Sequence, residues 1–218
     1  MITLYGFGRV FPAVVGETRE LRIEWALQEL GLPYTVHGID HTGGEHKTEA
    51  YMAISPFQRV PAIDDDGFVL AESGAILLYL GEKYGTLLPT DFHARLVVTQ
   101  WCLHALNTVE WATQQIQLID KFGGGEGAAA RRAELVKQAE RSLQLIERRL
   151  DGREWIATDD FTVADILMAC VLRQIRTTDL MDGYPRVKAY FERALARPAW
   201  RRALAAYAER FGALADAF

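Results

Sequence analysis

The sequence predicts an α/β domain followed by an all-α bundle, on three observations. Short β-type runs alternate with helical patterns over residues 1–84: Ile2-Thr3-Leu4-Tyr5, an amphipathic stretch from Leu21 to Leu30, then Tyr34-Thr35-Val36-His37-Gly38-Ile39. Two apolar runs, Pro61-Ala62-Ile63 and Phe68-Val69-Leu70, flank an Asp-rich turn ending in Gly67, the residue pattern of a β-hairpin. From residue 94 on, the apolar spacing is helical throughout. The expected organisation is residues 1–84, a linker at 85–93 (Gly-Thr-Leu-Leu-Pro-Thr-Asp-Phe-His), and residues 94–218.

In chain order, the first strand ends at Gly6. Residues 6–17 form a long loop holding Gly6, Gly8, Pro12 and Gly16 among Phe7, Val10, Phe11, Val14 and Val15. Thr18 stands at the expected N-cap of the first helix, and Gly31 then Pro33 stop that helix. Residues 40–54 are polar, then briefly helical around Tyr51, Met52 and Ile54. After the hairpin, Ala75, Ile76, Leu78, Tyr79 and Leu80 mark a helix running to about Tyr84. The order β-α-β, short helix, β-β-α implies a right-handed parallel crossover with an antiparallel hairpin added, a thioredoxin-like sheet.

Beyond the linker, residues 94–121 read as one long helix, and Gly123-Gly124-Gly125-Glu126-Gly127 breaks it. Residues 128–150 are amphipathic. Phe161-Thr162-Val163-Ala164-Asp165-Ile166 is a capping box, with Phe161 and Ile166 set for a hydrophobic staple. It opens a nearly all-apolar helix suited to the buried axis of a bundle, so Asp165 is expected to be structural. Two further helices fall near 185–197 and 199–211.

Composition narrows the function. Half of the 218 residues are apolar, and the net charge of −5 disfavours nucleic acid and acidic membranes as partners. Two cysteines, Cys102 and Cys170, make neither a disulfide framework nor a zinc cluster. No charged-then-apolar leader opens the sequence, and no apolar run approaches the ~18 residues of a membrane span. The expectation is a soluble cytoplasmic protein without a metal.

The residues that carry chemistry lie around the hairpin. Glu72 and Ser73 stand where a strand hands over to a helix N-terminus, which binds a carboxylate through its unpaired N–H groups. The Glu72 carboxylate beside it suits an ammonium, so the pair matches the zwitterionic head of an amino acid. Pro61 has no N–H, which leaves the Val60 backbone available to an extended ligand. A plain hairpin packed on a serine-capped helix accounts for the same residues.

Five stretches in register resemble the cytosolic glutathione S-transferases, most closely the plant-type and bacterial members. They are Trp25-Ala26-Leu27-Gln28-Glu29-Leu30-Gly31-Leu32-Pro33-Tyr34, Gly44-Glu45-His46-Lys47, Ser55-Pro56-Phe57-Gln58-Arg59-Val60-Pro61-Ala62, Glu72-Ser73-Gly74-Ala75-Ile76, and the box at Phe161–Ile166. The resemblance implies a glutathione site in the first region. Glu72 and Ser73 would hold the γ-glutamyl head, and Val60 the cysteinyl backbone ahead of a cis Pro61. His46 and Lys47 would face the glycyl carboxylate. Arg59 occupies a position usually filled by Lys or Gln. Glutathione, with a zwitterion, amides and a carboxylate in series, needs that sequence of partners.

The chain departs from the family in its longer loop at residues 6–17. The group that would contact the glutathione sulfur aligns best with Thr18; Tyr5 is the alternative, and a purely capping Thr18 stands beside both. A helix N-terminus there favours a thiolate. No cysteine lies near, which disfavours a mixed-disulfide mechanism. Phe7, Val10, Phe11 and Pro12 on one side and Trp111, Gln114 and Gln115 on the other are the expected walls of an electrophile site. The implied activity is transfer of an alkyl or aryl group to glutathione, with a peroxidase side activity, in a detoxifying homodimer. Glutathione-dependent isomerisation and a non-catalytic scaffold are the competing functions.

Overall fold

The computed structural model describes residues 1–11 and 14–213. The chain divides into two compact units, Met1–Tyr84 together with residues from Pro198 on, and Gly85–Arg197.

The first unit is built on a four-stranded sheet of order β2-β1-β3-β4, with β1 Ile2–Phe7, β2 Tyr34–Ile39, β3 Ala62–Asp65 and β4 Phe68–Ala71. β1 pairs parallel with β2 (Leu4 opposite Val36) and antiparallel with β3, and β3 pairs antiparallel with β4. The crossover and hairpin are those the sequence predicts. Asp66 (φ 53°) and Gly67 (φ 93°) supply the two left-handed positions of the hairpin turn. Helix α1, Glu20–Leu30, is buried from Glu20 to Leu27. Gly31 closes it in the left-handed conformation at φ 65°, with its N–H on the Leu27 carbonyl. A short 3₁₀ turn, Glu45–Lys47, leads into α2, Glu49–Ile54, capped by the Thr48 hydroxyl. Helix α3, Ser73–Tyr84, follows β4 directly. Leu4, Ile23, Trp25, Leu27, Ile63, Ile76, Leu77 and Leu80 form the core of this unit. Strand alternation turns Tyr5 and Phe7 to the opposite face from Leu4.

In the second unit, α4 (Phe92–Leu103) runs through a π-helical turn, His104–Val109, into α5 (Glu110–Phe122). The long helix of the sequence is therefore continuous but carries a widened turn. Then come α6 (Ala128–Arg149), α7 (Val163–Leu172) and α8 (Pro185–Leu195, with proline at N1). The capping box at Thr162 and Asp165 forms. Asp165 is fully buried and accepts from Ile156 N–H (2.9 Å), Thr162 N–H (2.8 Å), the Thr162 hydroxyl (3.1 Å) and the Tyr190 hydroxyl (3.0 Å). It orders the loop ahead of α7, a structural role. Cys102 is buried, which pushes its thiol up to about 12; Cys170 is half-buried.

The last helix, α9 (Pro198–Arg210), packs its apolar stripe on α1: Trp200 lies 4.8 Å from Trp25 between ring centres, and Arg202 bonds Gln28. The sequence predicts this helix among the others of residues 94–218. Its contacts group it with the first unit because the buried stripe of α1 needs a cover.

Candidate functional site

The candidate residues gather at one end of the sheet. Ala62 of β3 pairs with Ala71 of β4, so the antiparallel register sets Pro61 beside Glu72 just beyond that pair. Tyr5 of β1 pairs with Ala62, and Phe7 with Ile39 of β2, at the same end.

Glu72 adopts φ 74°, a left-handed conformation that costs a non-glycine residue about 1 kcal/mol. That backbone turns its exposed carboxylate out at the start of α3. Ser73 is buried, and its hydroxyl accepts from the Arg22 guanidinium at 3.3 Å. The Val60–Pro61 bond is cis. The Val60 N–H and C=O have no partner among the described residues, whereas the preceding Arg59 is anchored through its N–H to Ser55 Oγ (3.1 Å) and through its C=O to the Tyr51 hydroxyl (2.9 Å). The Arg59 side chain is exposed.

Loop 40–47 is closed by its own side chains. Asp40 accepts from the Thr42 hydroxyl and Gly43 N–H, both at 2.8 Å, and Glu45 accepts from Asp40 N–H at 2.7 Å and meets His37 at 2.9 Å. A Cβ at Gly43 would come within 2.2 Å of Asp40 Oδ2, so any other residue there would have to displace the Asp40 carboxylate. The loop brings His41 flat against His46, 4.5 Å between ring centres and 13° between planes, with Phe7 4.5 Å beyond His41. The Nδ1 atoms of both histidines are buried and unpartnered among the described residues. Burial, then His46 and Arg59 nearby, hold His41 below the usual imidazole range. Exposed Lys47 and Arg59 thus place two cations beside His46 at the end of a three-ring stack, chemistry that suits a carboxylate. His41 was not legible as a site residue in the sequence.

Thr18 departs from its expected role as a helix cap. Arg19 occupies the N-cap without a side-chain bond, and α1 is entered through i to i−3 bonds, Leu21 N–H to Thr18 C=O and Arg22 N–H to Arg19 C=O. The Thr18 hydroxyl is engaged instead by the Tyr207 hydroxyl at 2.6 Å. It also lines a cavity of about 300 Å³ with Phe7, Arg9, Val10, Phe11, Val14, His41 and Thr42. Beneath it, fully buried Glu20 accepts from Phe7 N–H at 3.1 Å, and desolvation pushes its carboxyl above the usual range. Tyr5 points elsewhere: its ring lies 5.4 Å from His37 and 6.2 Å from Tyr51, and burial, with Asp64 nearby, raises its phenol.

Of the residues expected to meet an electrophile, Phe7 and Phe11 share the Thr18 cavity. Trp111 and Gln115 lie one turn apart on α5 of the second unit, Trp111 exposed and Gln115 half-buried. Pro12 lies outside the described residues.

Comparison with known proteins supplies the family. Residues 11–82 match the model of the glutathione S-transferase N-terminal domain, and residues 104–198 that of the C-terminal domain. Glutathione S-transferase 3 of Zea mays is 30% identical over 196 residues, covering 85% of this chain and 88% of its own. Glutathione S-transferase D7 of Anopheles gambiae is 31% identical over 75% of each chain. Among solved structures, a glutathione transferase family member from Pseudomonas fluorescens with two glutathione bound is 29% identical and superposes with a TM-score of 0.79, over 93% of this chain and 91% of its own. A Burkholderia graminis glutathione transferase with two glutathione molecules per subunit is 30% identical, TM-score 0.80, over 93% and 86%. This chain belongs to the glutathione S-transferase family, which catalyses glutathione conjugation.

Proposed function

We propose that the first unit binds glutathione along the end of its sheet and presents the sulfur at Thr18 to a small hydrophobic electrophile in the adjoining cavity. Glu72 and Ser73 take the γ-glutamyl head, the Val60 backbone ahead of Pro61 pairs with the cysteinyl amides, and His46, Lys47 and Arg59 hold the glycyl carboxylate. The start of α1 and the Thr18 hydroxyl favour the thiolate. With an aryl halide, the thiolate attacks carbon, a C–S bond forms, and halide leaves with the electron pair of the broken bond. With an organic hydroperoxide, the thiolate attacks oxygen and breaks the O–O bond. The alcohol leaves protonated, and a second glutathione reduces the sulfenic acid to the disulfide and water.

The observation that carries this reading is that Thr18 and His41 line the same apolar cavity, while His41 stacks on His46 of the carboxylate site. In the proposal Tyr5 is the alternative sulfur donor, and Trp111 and Gln115 are the electrophile-binding candidates of the second unit. We further propose a detoxifying cytoplasmic homodimer, with a glutathione-binding domain at 1–84, a linker at 85–93 and an all-α domain at 94–218. Exposed Phe92, Leu96 and Leu103 along α4 support the dimer. Among the described residues no helix is long and apolar enough to cross a membrane.

A second reading keeps the site and changes the electrophile: the cavity takes a second glutathione or its disulfide. Exposed Arg9 and Thr42 beside the apolar walls favour it, by offering a cation and a hydroxyl to a peptide carboxylate. The test is glutathione titration followed by assays on an aryl halide, an organic hydroperoxide and a mixed glutathione disulfide, with wild type and Thr18→Ala. The first reading expects turnover of the first two, cut at least tenfold in Thr18→Ala. Turnover of the disulfide alone favours the second. Tight binding without any turnover overturns both in favour of a scaffold.

A further inference from the structure

We propose that Arg22 is a positioning residue for glutathione: its guanidinium donates to Ser73 Oγ and so turns the single Ser73 hydroxyl proton toward the γ-glutamyl carboxylate. This rests on the reading of Glu72 and Ser73 as the seat of the γ-glutamyl head.

The two side chains come from different helices of the first unit. Arg22 lies in the first turn of α1 and Ser73 opens α3. Both are buried, and Arg22 Nη1 lies 3.3 Å from Ser73 Oγ. α1 packs on α3, with Ile23 and Leu27 of the one and Ile76 and Leu80 of the other in the core, so the pair is held by rigid elements. The direction of the bond is set by the donor inventory. A guanidinium carries five N–H donors and no acceptor, so Ser73 Oγ has to accept.

A serine hydroxyl has one proton to give. Inside a helix that proton commonly goes to the carbonyl four residues back. Ser73 is the first residue of α3, and the residue four before it, Val69, belongs to β4, so no helical carbonyl stands there. Among the described residues Arg22 is the one hydrogen-bond partner of the Ser73 hydroxyl. The proton is therefore left for a ligand, at the helix end where the first N–H groups of α3 also lack helical partners. A hydroxyl that accepts one hydrogen bond donates more strongly, by roughly 10–30%. Arg22 thus reaches the carboxylate through Ser73, whereas exposed Glu72 beside it meets the ammonium.

The test measures, by calorimetry on the full chain, the affinity for glutathione and for 4-aminobutanoyl-cysteinyl-glycine, which lacks only the γ-glutamyl carboxylate. A hydrogen bond to a charged group is worth about tenfold in affinity, so wild type should prefer glutathione by about that factor or more. Ser73→Ala should cut the preference by about tenfold and Arg22→Met by about threefold, with the analogue bound as in wild type. The double variant should match Ser73→Ala alone. A preference kept in Arg22→Met and lost in Ser73→Ala overturns the positioning role and leaves the head-group reading standing. Equal weakening of both ligands in Arg22→Met marks a merely structural arginine and overturns it too. A double variant that loses more than Ser73→Ala contradicts the proposal, since Arg22 would then act without Ser73. Wild type that does not distinguish the two ligands removes the reading beneath the proposal. Should Arg22→Met fail to fold, Arg22→Lys and Arg22→Gln carry the comparison. Lysine only donates and should keep the preference, whereas a glutamine amide can accept the Ser73 proton and should lose it. Equal preference in those two variants contradicts the proposal.

Discussion

Arg210 grips Glu24 with two hydrogen bonds, Nη2 to Oε1 at 2.6 Å and Nη1 to Oε2 at 3.1 Å, and Glu24 has no solvent exposure. The Tyr34 hydroxyl adds a third donor at 3.1 Å. Breaking such a pair leaves a buried charge uncompensated, at about 3–5 kcal/mol. Arg210 is partly open to solvent, so Arg210→Ala is expected at the lower end, about 3 kcal/mol by denaturant unfolding. The paired change Glu24→Leu with Arg210→Met should recover most of that loss. If Arg210→Ala unfolds at the wild-type midpoint, the ion pair does not anchor α9.

Glu72 sets backbone strain against ligand binding. Glycine adopts φ 74° without penalty, so Glu72→Gly should stabilise the fold by about 1 kcal/mol. The same change removes the carboxylate proposed for the glutathione ammonium, and affinity should fall more than tenfold by calorimetry. A stabilised variant with unchanged affinity would move the γ-glutamyl head elsewhere.

His41 makes stability depend on acid. The groups facing it are His46, Arg59 and Asp40, and burial, then His46 and Arg59, hold it below the unfolded value of about 6.5. The unfolded chain therefore binds more protons there, and stability falls as pH drops through 6.5 toward the folded-state value. His41→Phe keeps a ring between Phe7 and His46 but removes the titration. Its unfolding midpoint should decline less from pH 7 to pH 5 than that of wild type; equal declines would contradict the assignment.

Asp165 accepts from four donors inside the second unit, so Asp165→Asn turns one acceptor oxygen into a donor facing them. The expected loss is about 3 kcal/mol in unfolding free energy. Folded Asp165→Asn should keep the wild-type KM for glutathione. A raised KM with unchanged stability would make Asp165 a functional residue instead.

The sheet was legible in the sequence because local chemistry dictates it. Asp66-Gly67 sets the hairpin, Gly31 stops α1, and the β-α-β order forces the parallel pairing of β1 with β2. The capping box at Thr162 was legible for the same reason. Thr18 was not, because a partner 189 residues away takes the hydroxyl that local pattern assigns to a cap. His41 was missed because its meaning lies in rings brought together by loop 40–47, and only Gly43 hints at that loop's tightness. The apolar stripe of α9 reads the same whether it faces a bundle or α1.

The central claim is that glutathione lies along the sheet end with its sulfur at Thr18. A crystal structure with glutathione bound tests it most directly. The expected result places the sulfur within about 3.5 Å of Thr18 Oγ1, the hydrogen-bond reach of a thiolate, and the glycyl carboxylate on His46, Lys47 or Arg59. A sulfur nearest the Tyr5 hydroxyl, or a carboxylate away from the Phe7–His41–His46 stack, would contradict it.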